Sequence, residues 1–418
     1  MVLGMLVLSA VVGGCFRTDP DAAGDPSNAA PRTTDVPLRI WIVSPRVDAP
    51  AVERQWKANS DQPIEITAWE EEQFLAQADA NADVIVYPAR LLGELVDRGW
   101  VVKLPEAVGP GQTTSTGPAS PGESTQQMAA MAPAERAQVT YDGHLYGVPL
   151  GCSIPVVIAT GDWVEQMANE PVHWDQILPH LPPGTEGDAP AVDSATVDGQ
   201  ALVDRFLTLV GGFTTRSSKY GILFEMQTMT SRLREPECIQ AADVLRHLFR
   251  QPGGQRAVVG SHTEAWEWIQ STAGPAVAIV SPTQVDDRSI SNPDCRVLPV
   301  AGKADFPAGW NTGGGLVGGL AAGCRQTAQS TEFLRWLSDA ATRTAVAPLV
   351  GGIDPMAPLA GVDSLAWRAR RSLDAAYATD AMPREPALAG AHSYRKALAE
   401  QLLSILLGEK TPEEGLEA

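Results

Sequence analysis

Short apolar runs recur along the chain, each followed by a longer stretch with one apolar face, and this alternation sets the expected fold. LRIWIV at 38–43 alternates and is rich in β-branched residues, which predicts a strand. A helical stretch over 49–58 separates it from a second predicted strand, IEITAW at 64–69. EEEQFLAQADA reads as helix and ADVIVYP at 82–88 as a short, continuously apolar strand. ARLLGELVDRG reads as a helix that stops at Gly99, a natural residue just past a helix end. Strand–helix–strand–helix–strand over 38–99 predicts a parallel α/β sheet. Binding sites in such sheets lie beyond the C-terminal strand ends, which puts Ser44, Trp69, Glu70, Tyr87 and Pro88 at one rim.

The pattern lapses over 109–136, a low-complexity stretch expected to be a surface loop, before YDGHLYGVPLG leads into the strand IPVVIA. A Pro/Gly/Asp-rich segment at 181–199 precedes a helix over 201–210, and amphipathic helices follow over 237–250 and 261–272. GPAVAIVSP, CRVLPV and the glycine-laden GGGLVGGLAAG read as strands; TEFLRWLSDAATRTAV, SLAWRARRSLDAAYA and SYRKALAEQLLSILLG read as helices. No internal repeat is evident.

One apolar run fits none of this. MVLGMLVLSAVVGGC carries no charge and stops at Cys15. Fourteen helical residues span only about 21 Å against a hydrocarbon core of roughly 30 Å, so a signal segment fits better than a transmembrane helix. The small residues before Cys15 resemble the lipobox of bacterial lipoproteins. That resemblance implies cleavage and lipidation at Cys15, with an ordinary cleaved secretion signal or an uncleaved anchor as the alternatives. Residues 16–35, rich in Ala, Pro, Asp and Thr, cannot bury enough surface to fold and read as a flexible tether. The body is then expected outside the cytoplasm.

Composition narrows the chemistry. A 418-residue chain with 44% hydrophobic content is enough for two domains with real cores. A net charge of −19 argues against a grip on nucleic-acid backbones. Besides Cys15, Cys152, Cys238, Cys295 and Cys324 allow three pairings or free buried thiols, and they lack the CxxC spacing of a zinc site. No HExxH, GxSxG or GxxxxGK[ST] is present. Gly313, Gly315 and Gly318 match the dinucleotide pattern G-x-G-x-x-G but are not followed by a helix start, so no cofactor is expected.

Four segments in order, ADVIVYPARLLGELVDRGWVVKLPE, YDGHLYGVPLG, EAWEWIQSTAGPAVAIVSP and LGEKTPEEGLEA, resemble family-1 extracellular solute-binding proteins, the sugar-type receptors of ABC importers. His144 stands where the family pattern has Lys, and Gly415 where it has Ala. The resemblance covers 37–418. It implies an α/β, two-lobed periplasmic-binding-protein-like fold of type II. Lobe 1 is expected over 36–150 and 296–340, and lobe 2 over 151–295 and 341–418. The implied role is capture of a carbohydrate or similar polar solute without covalent chemistry. The implied partners are ABC permease subunits and a membrane reached through the lipid anchor, for a monomer that binds no nucleic acid. A non-transport sensor or scaffold, or an exported polysaccharide-processing enzyme using the carboxylates of Glu70–Glu72, are the alternatives.

Sugars need flat aromatic platforms with polar groups around them. The expected ligand contacts are therefore Trp310, Asn311 and Thr312 in PAGWNTGG, Trp69 and Glu70 after the second strand, Tyr87 after the third, Ser44 and Arg46 after the first, and Trp266. Gly147 and Gly151 flank the first crossover and are the expected hinge residues.

Overall fold

A computed structural model describes residues 35–44, 46–104, 131, 133–151, 155–167, 172–183, 192, 196–214, 222–225, 228–285, 291–298, 315–352, 385 and 387–417. Its strands are β1 (Leu38–Val43), β2 (Ile64–Trp69), β3 (Val84–Pro88), β4 (Thr140–Tyr141), β5 (His144–Leu145), β6 (Val148–Gly151), β7 (Val156–Thr160), β8 (Ala276–Val280), β9 (Arg296–Leu298) and β10 (Leu316–Leu320). The helices used below are α1 (Ala49–Lys57), α2 (Glu71–Leu75), α3 (Leu92–Asp97), α4 (Pro133–Val139), α5 (Gly199–Phe213), α6 (Pro236–Phe249), α7 (Gly254–Val258), α8 (His262–Ser271), α9 (Thr327–Ser338), α10 (Ala340–Val346) and α11 (Ala391–Leu406).

The first sheet runs in the order β2-β1-β3-β10-β6. Strand β1 is parallel to β2 and β3, as the sequence predicts, while β10 runs antiparallel between β3 and β6. Period-2 alternation sorts its side chains. Ile40, Ile42, Val84 and Val86 meet Trp56 of α1 and Phe333 and Leu334 of α9. Trp41, Val43, Ile85 and Tyr87 meet Phe74 of α2 and the α3 residues Leu92 and Leu95. Both faces are covered, which is why β3 is apolar at every position.

The second sheet is antiparallel, β8-β7-β9. One face packs on α5, α6 and α11 through residues such as Phe206, Leu245 and Leu402. The other packs on α8 through Trp266, Trp268 and Ile269. Side chains cap two of these helices: Asp198 caps α5 by accepting from Ala201 N–H at 2.9 Å, and Ser261 with Glu264 forms a capping box on α8.

Two expected lobe boundaries shift. Strand β9 pairs with β7, so residues 296–298 lie in the second sheet; their apolar alternation does not specify which sheet edge they extend. Helix α10 packs on α9 and β6, and Ala347–Val350 packs on α1, which keeps 340–352 with the first lobe. A buried ion pair from Arg343 of α10 to Glu135 of α4, at 2.9 Å, fixes it there.

The two residues expected at the hinge divide. Gly151 ends β6 at φ 139, a region that favours glycine. Gly147 is required for a different reason, since a Cβ there would sit 2.3 Å from Val317 Cγ1 and 2.8 Å from the Gly318 carbonyl oxygen. It lets the chain lie against β10. Cys238, Cys295 and Cys324 are free thiols, and burial pushes Cys238 up to about 12 and Cys295 up to about 11. Cys15, Cys152, SLAWRARRSLDAAYA and most of 109–136 lie outside the described residues.

Adjacent buried charges on α5 tie the second lobe together. Arg205 donates to the carbonyls of Val258 at 2.8 Å, Gly260 at 2.6 Å, Ser261 at 3.1 Å and Ile279 at 3.1 Å, binding α5 to the α7–α8 corner and to β8. Desolvation lowers its pKa to about 10. Asp204 accepts from Arg395 of α11 at 2.5 Å and faces His262 Nε2 at 3.8 Å. The Ser281 N–H donates to His262 Nδ1 at 3.1 Å, which leaves the ring proton on Nε2, toward Asp204. Burial opposes ionisation of Asp204, yet Arg395 and His262 hold its carboxyl below the ordinary 3.8.

A carboxyl lowered on folding contributes stability that is whole above its unfolded pKa and lost as pH falls through the folded value. Asp204→Asn is expected to cost about 3 kcal/mol at neutral pH and progressively less below about pH 4. Denaturant unfolding of both chains at pH 7 and pH 3 checks this; equal stability at pH 7, or a deficit that grows in acid, contradicts it.

Candidate functional site

The register of the first sheet brings its strand ends to one rim. Val43 lies opposite Trp69, and Leu316 opposite both Pro88 and Gly151. The Ala89 N–H donates to the Gly315 carbonyl at 2.7 Å, closing the rim between β3 and β10. Beyond it lies a groove of about 720 Å³ with walls from both lobes. The first-lobe wall is the start of α2, Glu70 to Gln73. The second-lobe wall combines Asp198 and Gln200 at the start of α5 with the face of α11 carrying His392, Lys396, Glu400 and Leu403. Spacing of four residues places His392, Lys396 and Glu400 on one side of the helix.

These groups suit recognition by hydrogen bonds. Carboxylates and amide oxygens accept, while amides and the Lys396 ammonium donate, a set that fits a solute with many hydroxyl groups. Glu71 is committed elsewhere: it accepts from Arg90, and its other oxygen lies 3.2 Å from His392 Nδ1. Burial opposes its ionisation, but Arg90, His392 and Arg395 hold its carboxyl below the usual range.

Beneath the groove, Arg395 is 1% exposed and spends its guanidinium on three residues, two of α5 and one of the segment before α11. It donates to Asp204, to Glu385 at 2.6 Å and to Gln200 Oε1 at 2.7 Å. Tyr394 donates its hydroxyl to the other oxygen of Glu385. Burial raises the Glu385 carboxyl above its ordinary value despite Arg395. It raises the Tyr394 phenol as well, with the neighbouring Glu385 charge adding to the effect.

The residues expected to touch ligand separate into three groups. Glu70 lines the groove. Ser44, Arg46 and Trp69 stand at the rim with local tasks. Ser44 Oγ bridges the Arg46 backbone, Arg46 donates to the Val285 carbonyl of the second lobe, and the Trp69 ring lies 5.1 Å from that of Trp41. Tyr87 and Trp266 are corrections. Tyr87 is fully buried because the alternation of β3 turns it into the core, and its hydroxyl has no hydrogen-bond partner among the described residues. Trp266 is 4% exposed because α8 turns it onto the second sheet. Trp310, Asn311 and Thr312 lie outside the described residues. The sequence reading missed His392, Lys396, Glu400, Gln200 and Asp198; the polar stripe in SYRKALAE was the available signal.

Among the described residues, no group of three His, Cys, Asp or Glu side chains could hold a metal ion, and no helix is long and apolar enough to cross a membrane. Gly318 lies inside β10, so the glycine pattern continues as strand.

No protein-family model matches the chain, and no curated protein matches it by sequence. Solved structures do resemble it. A solute-binding protein of an ABC transporter from Agrobacterium radiobacter K84, in complex with ribitol, superposes with a TM-score of 0.62 at 13% identity, over 92% of this chain and 96% of that one. The maltose-maltodextrin binding protein of Alicyclobacillus acidocaldarius gives 0.60 at 15% identity, over 91% and 98%. A maltose/maltodextrin-binding domain from Bdellovibrio bacteriovorus bound to maltotriose gives 0.60 at 15% identity, over 91% and 97%. At these identities the likeness establishes the architecture: the chain has the two-lobed α/β fold of type II periplasmic binding proteins.

Proposed function

We propose that this chain is the solute-binding component of an ABC importer, taking a sugar, polyol or similar polar solute between its lobes without covalent chemistry. The observation that carries the reading is the groove whose two walls come from different lobes. A ligand bridging such walls favours the closed arrangement by its difference in affinity for the two states. The ribitol and maltotriose complexes among the similar structures support hydroxyl-rich solutes. Glu70, Gln73, Gln200, Lys396 and Glu400 would grip hydroxyls. Trp310, Asn311 and Thr312 belong to the proposed contacts on the ground of the sequence PAGWNTGG alone.

The proposal places the protein outside the cytoplasm, lipid-anchored through Cys15, with 16–35 as the tether. A short flexible tether keeps the receptor at high local concentration beside a membrane partner. Mass spectrometry of the mature protein is expected to show an acylated N-terminal Cys15; any other N-terminus contradicts the anchor.

A thermal-shift panel of sugars and polyols tests the receptor reading. A genuine ligand at 100 times its Kd adds about 2.7 kcal/mol to stability and raises Tm. Lys396→Ala is expected to weaken that binding about tenfold, through loss of a charged hydrogen bond. A panel in which no solute raises Tm contradicts the reading, as does conversion of the stabilising solute to product.

A further inference from the structure

Two carboxylates of the first lobe share a geometry that the groove does not require. Glu71 of α2 holds Arg90 of its own lobe with one oxygen and faces His392 Nδ1, on the first turn of α11, with the other. Glu94 of α3 holds Arg98 of its own lobe at 2.8 Å with one oxygen, and its other oxygen accepts the Gly390 N–H at 2.7 Å. Gly390 is the N-cap of α11. Helix α11 belongs to the second lobe, packed on α5 and α6. Both carboxylate side chains are only 14% exposed, and both sit at the positive end of a 16-residue helix dipole.

A steric match accompanies the charges. Gly93, beside Glu94, faces the backbone leading into α11. A Cβ there would lie 2.5 Å from the Leu388 carbonyl carbon and 2.6 Å from the Ala387 carbonyl oxygen. Only a glycine lets α3 lie this close to the backbone that leads into α11.

We propose that Glu71 and Glu94 form a latch on the N-terminus of α11 that holds the two lobes together when the groove is empty and releases when it opens. The arginines make release feasible. Separating a buried carboxylate from its only partner leaves an uncompensated charge and costs several kcal/mol. Here opening breaks one contact of each carboxylate and leaves the Arg90 and Arg98 pairs intact. The latch is therefore weak enough to open and strong enough to bias the resting state. It does not depend on which solute the groove takes.

The test uses the full chain without added solute, labelled with a fluorophore pair at Glu53 of α1 and Gln240 of α6, both exposed on outer helices. Glu71→Gln and Glu94→Gln are each expected to raise the open-to-closed ratio about threefold, and together about tenfold. Gly93→Ala opens the lobes with no change of charge. Raising salt from about 0.1 to 1 M opens the wild-type chain and leaves the double variant unmoved. That titration needs no substitution, so it stands even where a variant folds poorly. An unchanged label distance in the double variant and in Gly93→Ala overturns the latch. So does a salt response that persists without the carboxylates.

Discussion

A guanidinium that is 1% exposed must be met by carboxylates and carbonyls, and Arg395 sets much of the architecture by that demand. It draws Asp204 and Gln200 of α5 and Glu385 of the approach segment onto one helix. This fixes the rotation of α11. With Arg395 turned inward and Leu402 and Ile405 packed in the core, His392, Lys396 and Glu400 form the groove wall and the N-terminus meets the first lobe. Fold, groove and interlobe contact depend on the same buried charge.

The two lobes are built for different tasks. The first is a five-stranded sheet covered on both faces, whose strand ends converge on a rim. The second is a three-stranded antiparallel sheet carrying longer helices, with charged residues in its interior. In the proposed role, a rim facing a helix wall would offer a polar solute donors and acceptors from two lobes, and binding would favour their closure.

The sequence carried much of the fold. Alternation in LRIWIV and IEITAW and the continuous apolarity of ADVIVYP named the parallel strands, and their shared rim followed from topology alone. Pairing across long separations was not legible: the apolar run of β9 fits either sheet, and its pairing with β7 is a tertiary choice. The site was less legible because its lining is polar and spread over three helices, while two of the expected aromatic residues pack in the core. Tyr87 and Trp266 pack inward, since a strand covered on both faces and a helix lying on a sheet both bury large rings. The residues that line the groove are ordinary polar positions of α2, α5 and α11. Their convergence is tertiary, set by where Arg395 turns one helix and where Gly93 lets two backbones meet.

Hydrogen–deuterium exchange, with and without a solute that raises the melting temperature, tests the central claim that one ligand bridges both walls. The account predicts slowed exchange in both walls at once, residues 70–75 and 392–403. Protection confined to one lobe, or lying away from the groove, would contradict it.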